Sequence, residues 1–159
     1  MSNMKSIEDK LSVLKKIAIK LNNRKLTWAL GGSTMLYFRG IVNEFHDLDI
    51  MVLEEQAPVV KDILFKMGKL QKSEKGIYET TCYYEFVVDG VDIDVMGGFK
   101  IRNSNEVYDC SLKIENIDQK VMLENACISL ESLSNWRRYY QLMGRTGKVE
   151  MIDSWEQTK

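Results

Sequence analysis

The sequence predicts a single domain of the α/β (α+β) class, and three observations predict it. Segments with helical spacing alternate with short strand-like runs. The pair Asp89-Gly90 is a two-residue hairpin turn that folds one run back on its neighbour. One proline in the chain, with no internal repeat, low-complexity tract or linker, leaves residues 1–159 as one unit. A length of 159 residues is enough to bury a core without staples. The hydrophobic share of 45% and the charged share of 28% are ordinary for a globular chain.

Each element has its own signal. Ser6 is a helix N-cap with Asp9 in the capping-box position, and apolar residues then recur at Ile7, Leu11, Leu14, Ile17, Ala18 and Leu21. Asn22-Asn23 ends that helix. Leu26 to Leu30 is a short apolar run of buried-strand length, broken by Gly31-Gly32. Ser33 is expected to cap a second helix through Met35 to Phe38, which Gly40 stops. From Asp47 to Leu53 the chain alternates, with Leu48, Ile50 and Val52 on one face and Asp47, Asp49 and Met51 on the other. Pro58 sits just inside a third helix, Ala57 to Met67, with Gly68 as its stop. Tyr78 to Val88 is rich in Thr, Tyr, Phe and Val and reads as a strand, and Val91 to Met96 is its antiparallel return. Short strands are expected at Val107-Tyr108 and Lys120 to Leu123. Helices are expected from Ser129 to Met143, with Ser132 or Ser134 near the start and Gly144 after the end, and from Lys148 to Gln157.

Composition excludes several classes of function. The net charge of −1 argues against a nucleic-acid backbone binder, which would carry a basic excess. No apolar run approaches the length needed to cross a membrane, and Met1 to Lys10 is polar and mixed in charge, unlike a signal peptide. Cys82, Cys110 and Cys127 form no CxxC pair, so reduced thiols in a cytoplasmic protein are expected rather than a zinc site or disulfides. A single histidine, His46, argues against a His-based zinc enzyme.

The chemistry is concentrated in three places. Gly31-Gly32-Ser33 lets the backbone approach a ligand closely and places a hydroxyl at a helix start, an arrangement suited to a triphosphate. Asp47 and Asp49 share one face of one strand, where two carboxylates repel unless a divalent cation joins them; oxygen-only ligands suit Mg²⁺. Asp92 and Asp94 share a face of the return strand. Either could complete the cage and take a proton from an acceptor hydroxyl, and periodicity does not choose between them. Lys100 and Arg102 follow that strand and could neutralise phosphate charge, although solvated surface is the plainer reading. Trp136, Tyr139, Tyr140 and Leu142 at helical spacing read as core or as a dimer face.

The order of glycine turn, helix, double-Asp strand and hairpin carboxylate resembles the nucleotidyltransferase superfamily, in the small branch of aminoglycoside and lincosamide adenylyltransferases and minimal nucleotidyltransferases. The residues that carry the likeness are Gly31-Gly32-Ser33, Arg39-Gly40, His46-Asp47-Leu48-Asp49-Ile50 and Ile93-Asp94-Val95. It spans about residues 26–98, and Leu130 to Arg145 looks like the helix that closes these small domains. The resemblance implies a nucleotidyltransferase-like mixed β-sheet flanked by helices, with a short C-terminal helical part at about 129–157. It implies two Mg²⁺ ions on Asp47, Asp49 and Asp94, and it favours Asp94 over Asp92 through Ile93-Asp94-Val95-Met96-Gly97. Catalysis then falls to Asp94, Asp47 and Asp49, and nucleotide binding to Gly31, Gly32, Ser33, Arg39 and His46. The substrate implied is ATP or another nucleoside triphosphate. The acceptor implied is a hydroxyl of a small molecule such as an aminoglycoside or lincosamide, which would make the chain an antibiotic-resistance factor, or a hydroxyl of a protein. An acidic cleft of Glu85, Asp89 and Asp92 would favour a cationic acceptor. The pattern departs from the family at Asn43-Glu44-Phe45, where many relatives place an arginine and a Ser or Thr. It also lacks their large C-terminal helical domain, whose wall a homodimer partner could supply. These departures motivate the alternative of a catalytically silent nucleotidyltransferase-like domain that binds nucleotide or a protein partner.

Overall fold

A computed structural model describes residues 5–71 and 79–159. The chain opens with α1 (Ile7–Asn23), whose capping box forms as the sequence predicts: the Ser6 hydroxyl accepts from the Asp9 amide, and the Asp9 carboxylate accepts from the Ser6 amide. Its apolar stripe of Val13, Leu14, Ile17, Ala18 and Leu21 is buried. β1 (Trp28–Gly31) follows, buried along its whole length, and runs directly into α2 (Gly32–Phe38). Gly31 therefore occupies the N-cap position, and Ser33 lies inside the first turn with no side-chain cap bond, correcting the expected Ser33 cap.

β2 (Leu48–Val52) leads through a 3-10 turn at Glu54–Gln56 into α3 (Ala57–Phe65), with Pro58 tolerated in its first turn. β3 (Lys69–Gln71) is exposed and short, and no sequence signal pointed to it. β4 (Cys82–Val88) and β5 (Val91–Gly97) form the expected hairpin, with Asp89 at φ 49° and Gly90 at φ 80°, both left-handed as a tight two-residue turn requires. The predicted strand start at Tyr78 lies outside the described residues. β6 (Lys100–Asn103) and β7 (Glu106–Asp109) make a separate two-stranded ribbon.

β8 (Ile117–Leu123) and β9 (Ala126–Glu131) precede α4 (Leu133–Leu142) and α5 (Thr146–Gln157). Here the expected helix start at Ser129 is corrected. Residues Ser129 to Glu131 belong to β9, whose Ala126, Ile128 and Leu130 alternate into the core. The helix begins only after Ser132, whose hydroxyl accepts from the Asn135 amide.

Seven strands form one mixed sheet in the order β3-β4-β5-β2-β1-β9-β8. β2 pairs parallel with β5, and β1 pairs parallel with β9, while the remaining neighbours are antiparallel. The mixed sheet flanked by helices is the predicted architecture. Its centre, β5-β2-β1, is the most buried part of the chain, and three chemical features of the sequence converge there: the glycine turn ends β1, the double-Asp motif opens β2, and Asp94 sits on β5.

Candidate active site

Register brings the carboxylates together. In the parallel β2–β5 pair Asp49 lies opposite Asp94, and in the β4–β5 hairpin Glu85 lies opposite Asp94 on the other side. Asp47 stands just before β2. Its backbone carbonyl accepts from the buried Thr34 hydroxyl at 2.7 Å, which ties the acidic strand to α2. The preceding segment is held by Lys10, whose ammonium donates to the Phe45 carbonyl at 2.6 Å.

The two glycines of the turn have different jobs. Gly32 takes φ 58°, and a Cβ there would overlap the Asp49 carboxylate; only glycine lets the turn lie against that side chain. Gly31 is extended, and a Cβ on it would run into the Trp136 indole. The turn is thus clasped between an acid on one side and an aromatic ring on the other.

A cavity of about 400 Å³ opens beside this turn. Gly32, Ser33, His46, Asp47, Asp49 and Asp94 line it from the sheet side. Arg145 and Lys148 line it too, brought there by the link between α4 and α5, together with the buried rings of Trp136 and Tyr140. The Arg145 guanidinium lies over the Tyr140 ring, 5.5 Å from its centroid. A neighbouring acidic cleft of about 480 Å³ shares Asp47 and Asp94 and adds Gln71, Glu85 and Asp92. Asp94 therefore faces the cavity beside Asp49, whereas Asp92 faces only the cleft.

The electrostatics follow from crowding. Burial holds the Asp49 carboxyl well above the usual range, and the charges of Asp94 and Asp47 push it the same way; Arg145 opposes them. Burial, with Asp47 and Glu85, pushes Asp94 up to about 7, although the hydrogen bond it accepts from Asp49 works against that rise. Both carboxyls are therefore held above the usual range and hydrogen-bond to each other. Asp47 is raised by burial and by Asp92, with His46 and Lys10 pulling it back. Burial and the adjacent Arg145 charge lower the Lys148 ammonium.

Among the described residues, no three His, Cys, Asp or Glu side chains stand ready to hold a metal ion. The donor set nonetheless fits a hard divalent cation: three carboxylates line one cavity, and a cation in place of the shared proton would remove the repulsion that lifts them.

Several expected contributors lie elsewhere. Arg39 does not line the cavity; its guanidinium is committed to Asp118 at 2.7 Å, Gln119 at 3.1 Å and the Glu131 carbonyl at 2.9 Å. Gly31 backs the turn instead of facing the cavity. Lys100 is bound to the Thr81 hydroxyl and the Gly98 carbonyl, and Arg102 pairs with Glu79 at 2.6 Å. Asp89 sits in the hairpin turn paired with Lys16, away from the acidic cleft. The cations that do reach the cavity, Arg145 and Lys148, were missed. The available signal was Gly144-Arg145-Thr146-Gly147-Lys148, a glycine-bearing basic turn between two helices. Trp136, Tyr139 and Tyr140 are buried as expected, and Trp136 and Tyr140 also wall the cavity.

No family model matches the sequence, and no curated protein matches it. Among solved structures, a candidate nucleotidyltransferase from Thermotoga maritima is similar at 25% identity and a TM-score of 0.73, over 99% of this chain and 98% of that one. ANT(2'')-Ia in complex with adenylyl-2''-tobramycin is similar at 11% identity and a TM-score of 0.65, over 91% of this chain and 86% of that one. A solution structure of the antibiotic-resistance factor ANT(2'')-Ia is similar at 10% identity and a TM-score of 0.62, over 94% of this chain and 90% of that one. The fold is a nucleotidyltransferase fold, its neighbours fall in the branch that the motifs resemble, and they support an enzyme of that type.

Proposed function

We propose that this chain is a magnesium-dependent nucleotidyltransferase that moves AMP from ATP to a hydroxyl of an amine-bearing small molecule, of which aminoglycosides are the first candidates. One observation carries the reading: Asp47, Asp49 and Asp94 line a single cavity that Arg145 and Lys148 face. The acids are the ligand set for a divalent cation and the two cations are partners for phosphate oxygens. The acidic cleft of Glu85, Asp92 and Asp94, continuous with that cavity, supports an acceptor that carries ammonium groups.

In the proposed reaction the acceptor oxygen forms a bond to the α-phosphorus, the bond from that phosphorus to its bridging oxygen breaks, and pyrophosphate leaves. Asp94 takes the acceptor proton, a role suited to a carboxylate that lines both the cavity and the adjoining acidic cleft. Gly32 and Ser33 orient the triphosphate, His46 borders it, and Arg145 and Lys148 neutralise it. Magnesium held by Asp47, Asp49 and Asp94 would supply the positive charge that stabilises the attacking and leaving oxygens. The three cysteines are free, which accords with a cytoplasmic site of action, and among the described residues no helix is long and apolar enough to cross a membrane.

A silent nucleotide-binding domain is the competing reading, favoured by the commitment of Arg39 to Asp118. Arg145 and Lys148 answer it, because they supply from the other end of the chain the cations that Arg39 does not. The deciding experiment incubates the protein with ATP, Mg²⁺ and a panel of aminoglycosides and lincosamides and reads products by mass spectrometry. A gain of one AMP on an acceptor, absent with Asp49→Asn, is expected. Metal-dependent ATP binding with no transfer to any acceptor would favour the silent domain.

A further inference from the structure

Outside the carboxylate cluster, one buried acid takes no part in the proposed reaction. Glu131 ends β9 and is fully buried. Its two oxygens are used separately: Trp136 Nε1 donates to Oε1 at 2.9 Å, and the Tyr139 hydroxyl donates to Oε2 at 3.5 Å. Its backbone is held as well, since its carbonyl accepts from Arg39. An acid is a costly way to fill a core unless its acceptor oxygens hold something in place.

What Glu131 holds is the ring that the glycine turn leans on. Trp136 is 2% exposed and stacked on Phe99 with ring centroids 5.9 Å apart, so its faces are not open to a nucleotide base. Its Nε1 edge is the part that lies over Gly31, since Nε1, Cε2 and Cζ2 are the atoms a Cβ there would strike. The atom that Glu131 grips is therefore among the atoms that press on the turn. On the far side of the same turn, Gly32 touches Asp49. A rotation of the indole would release the turn from Asp49 without altering any residue that faces the cavity from the sheet.

We propose that Glu131 is a positioning residue of the triphosphate site: through its hydrogen bond to Trp136 it fixes the indole against Gly31 and so sets the distance between the Gly31–Ser33 turn and the carboxylates. This rests on the reading of the cavity as a triphosphate site. It separates Glu131 from an ordinary buried hydrogen-bond partner, because the expected loss is in nucleotide binding rather than in stability alone. The carboxylate and the carboxylic acid can both accept from Nε1, so the brace holds on either side of the raised value, about 7, that burial gives this group.

The test compares Glu131→Gln, which keeps an acceptor for Nε1, with Glu131→Leu, which does not, and with Trp136→Phe, which keeps a ring but removes the donor. MgATP affinity is measured by titration calorimetry, indole emission by fluorescence, and folding by thermal melts. Glu131→Gln is expected to bind within about twofold of the parent, while Glu131→Leu and Trp136→Phe bind about tenfold more weakly, the loss of one buried hydrogen bond. Glu131→Leu should also shift the indole emission. If Glu131→Leu does not fold, Trp136→Phe decides the matter. Parental affinity in a folded Glu131→Leu or Trp136→Phe, or equal losses in Glu131→Gln and Glu131→Leu, would overturn the proposal. Should the parent bind no triphosphate, the functional reading fails by itself; the indole emission of Glu131→Leu against Glu131→Gln then decides whether the brace exists.

Discussion

The protein draws acid out of water in two places, fully at one and partly at the other, and they are built in opposite ways. At the end of β9, Glu131 meets two donors, one for each oxygen, and no second carboxylate. At the β2–β5 junction, Asp49 and Asp94 meet each other, with Asp47 beside them. Burial raises the proton affinity of both groups, but only the second adds like-charge repulsion to it. The difference teaches that burial alone does not mark a chemical site. Glu131 is satisfied by its neighbours, whereas the Asp pair keeps a repulsion that a bound cation would relieve.

The largest effect that would break this comparison is expected from Asp49→Asn. If the pair is the metal and catalytic centre, transfer falls by at least ~10³-fold. Stability should move little, with a melting temperature within about 2 °C of the parent, because the change removes repulsion and keeps the shape. Enzyme assays beside thermal melts would show this; a folded variant with parental turnover would undo the assignment.

Next comes pH dependence at Glu131, which tests the other half. Burial raises its carboxyl from 4.5 to about 7 in the folded chain, so folding favours the protonated form. Its contribution is fully present below about pH 4.5 and is lost as pH rises through about 7, by at most ~3 kcal/mol. Urea titrations from pH 5 to 8 should show the Glu131→Gln variant gaining on the parent as pH rises. Added Mg²⁺ should leave that gain unchanged, since the proposed metal site is the other acid cluster.

A smaller effect is expected at the cavity's cationic side. Arg145→Gln should weaken MgATP about fivefold to tenfold, with the difference shrinking as salt is added. Calorimetry at two ionic strengths measures it, and a salt-independent loss would point to packing on Tyr140 instead. The smallest effect belongs to Lys100→Gln, a cation that lies outside the cavity. Its MgATP affinity should stay within about twofold of the parent, and a tenfold loss would mean that the triphosphate reaches further along β5 than proposed.

The local chemistry of the site was legible in the sequence because its signals are short in range. Alternation alone put Asp47 and Asp49 on one face, the Asp89-Gly90 turn paired β4 with β5, and the Gly31-Gly32 break ended β1 where the turn is needed. The cations were not legible. Which positive charge reaches a phosphate depends on how helices pack across the sheet, and no spacing rule reports that. Arg39 stands on the helix next to the turn yet points to β8, whereas Arg145 arrives from the far end of the chain. Glu131 was hidden for a related reason. It follows an apolar alternation and directly precedes a helix cap, so the end of β9 merged with the helix expected from Ser129.

The parallel pairing of β1 with β9 sets Leu30 beside Leu130, so the strand that ends in the glycine turn is completed by a segment far along the sequence from it. Such sequence-distant pairing closes late, after the loop entropy between the two strands has been overcome. During synthesis the acidic strand and its glycine turn emerge well before β9, Trp136 and Arg145 can reach them. A chain cut before α4 would leave the carboxylates without Trp136, Tyr140 and Arg145 beside them. The cavity is thus complete only once β1 has paired with β9 and α4 has packed beside the turn.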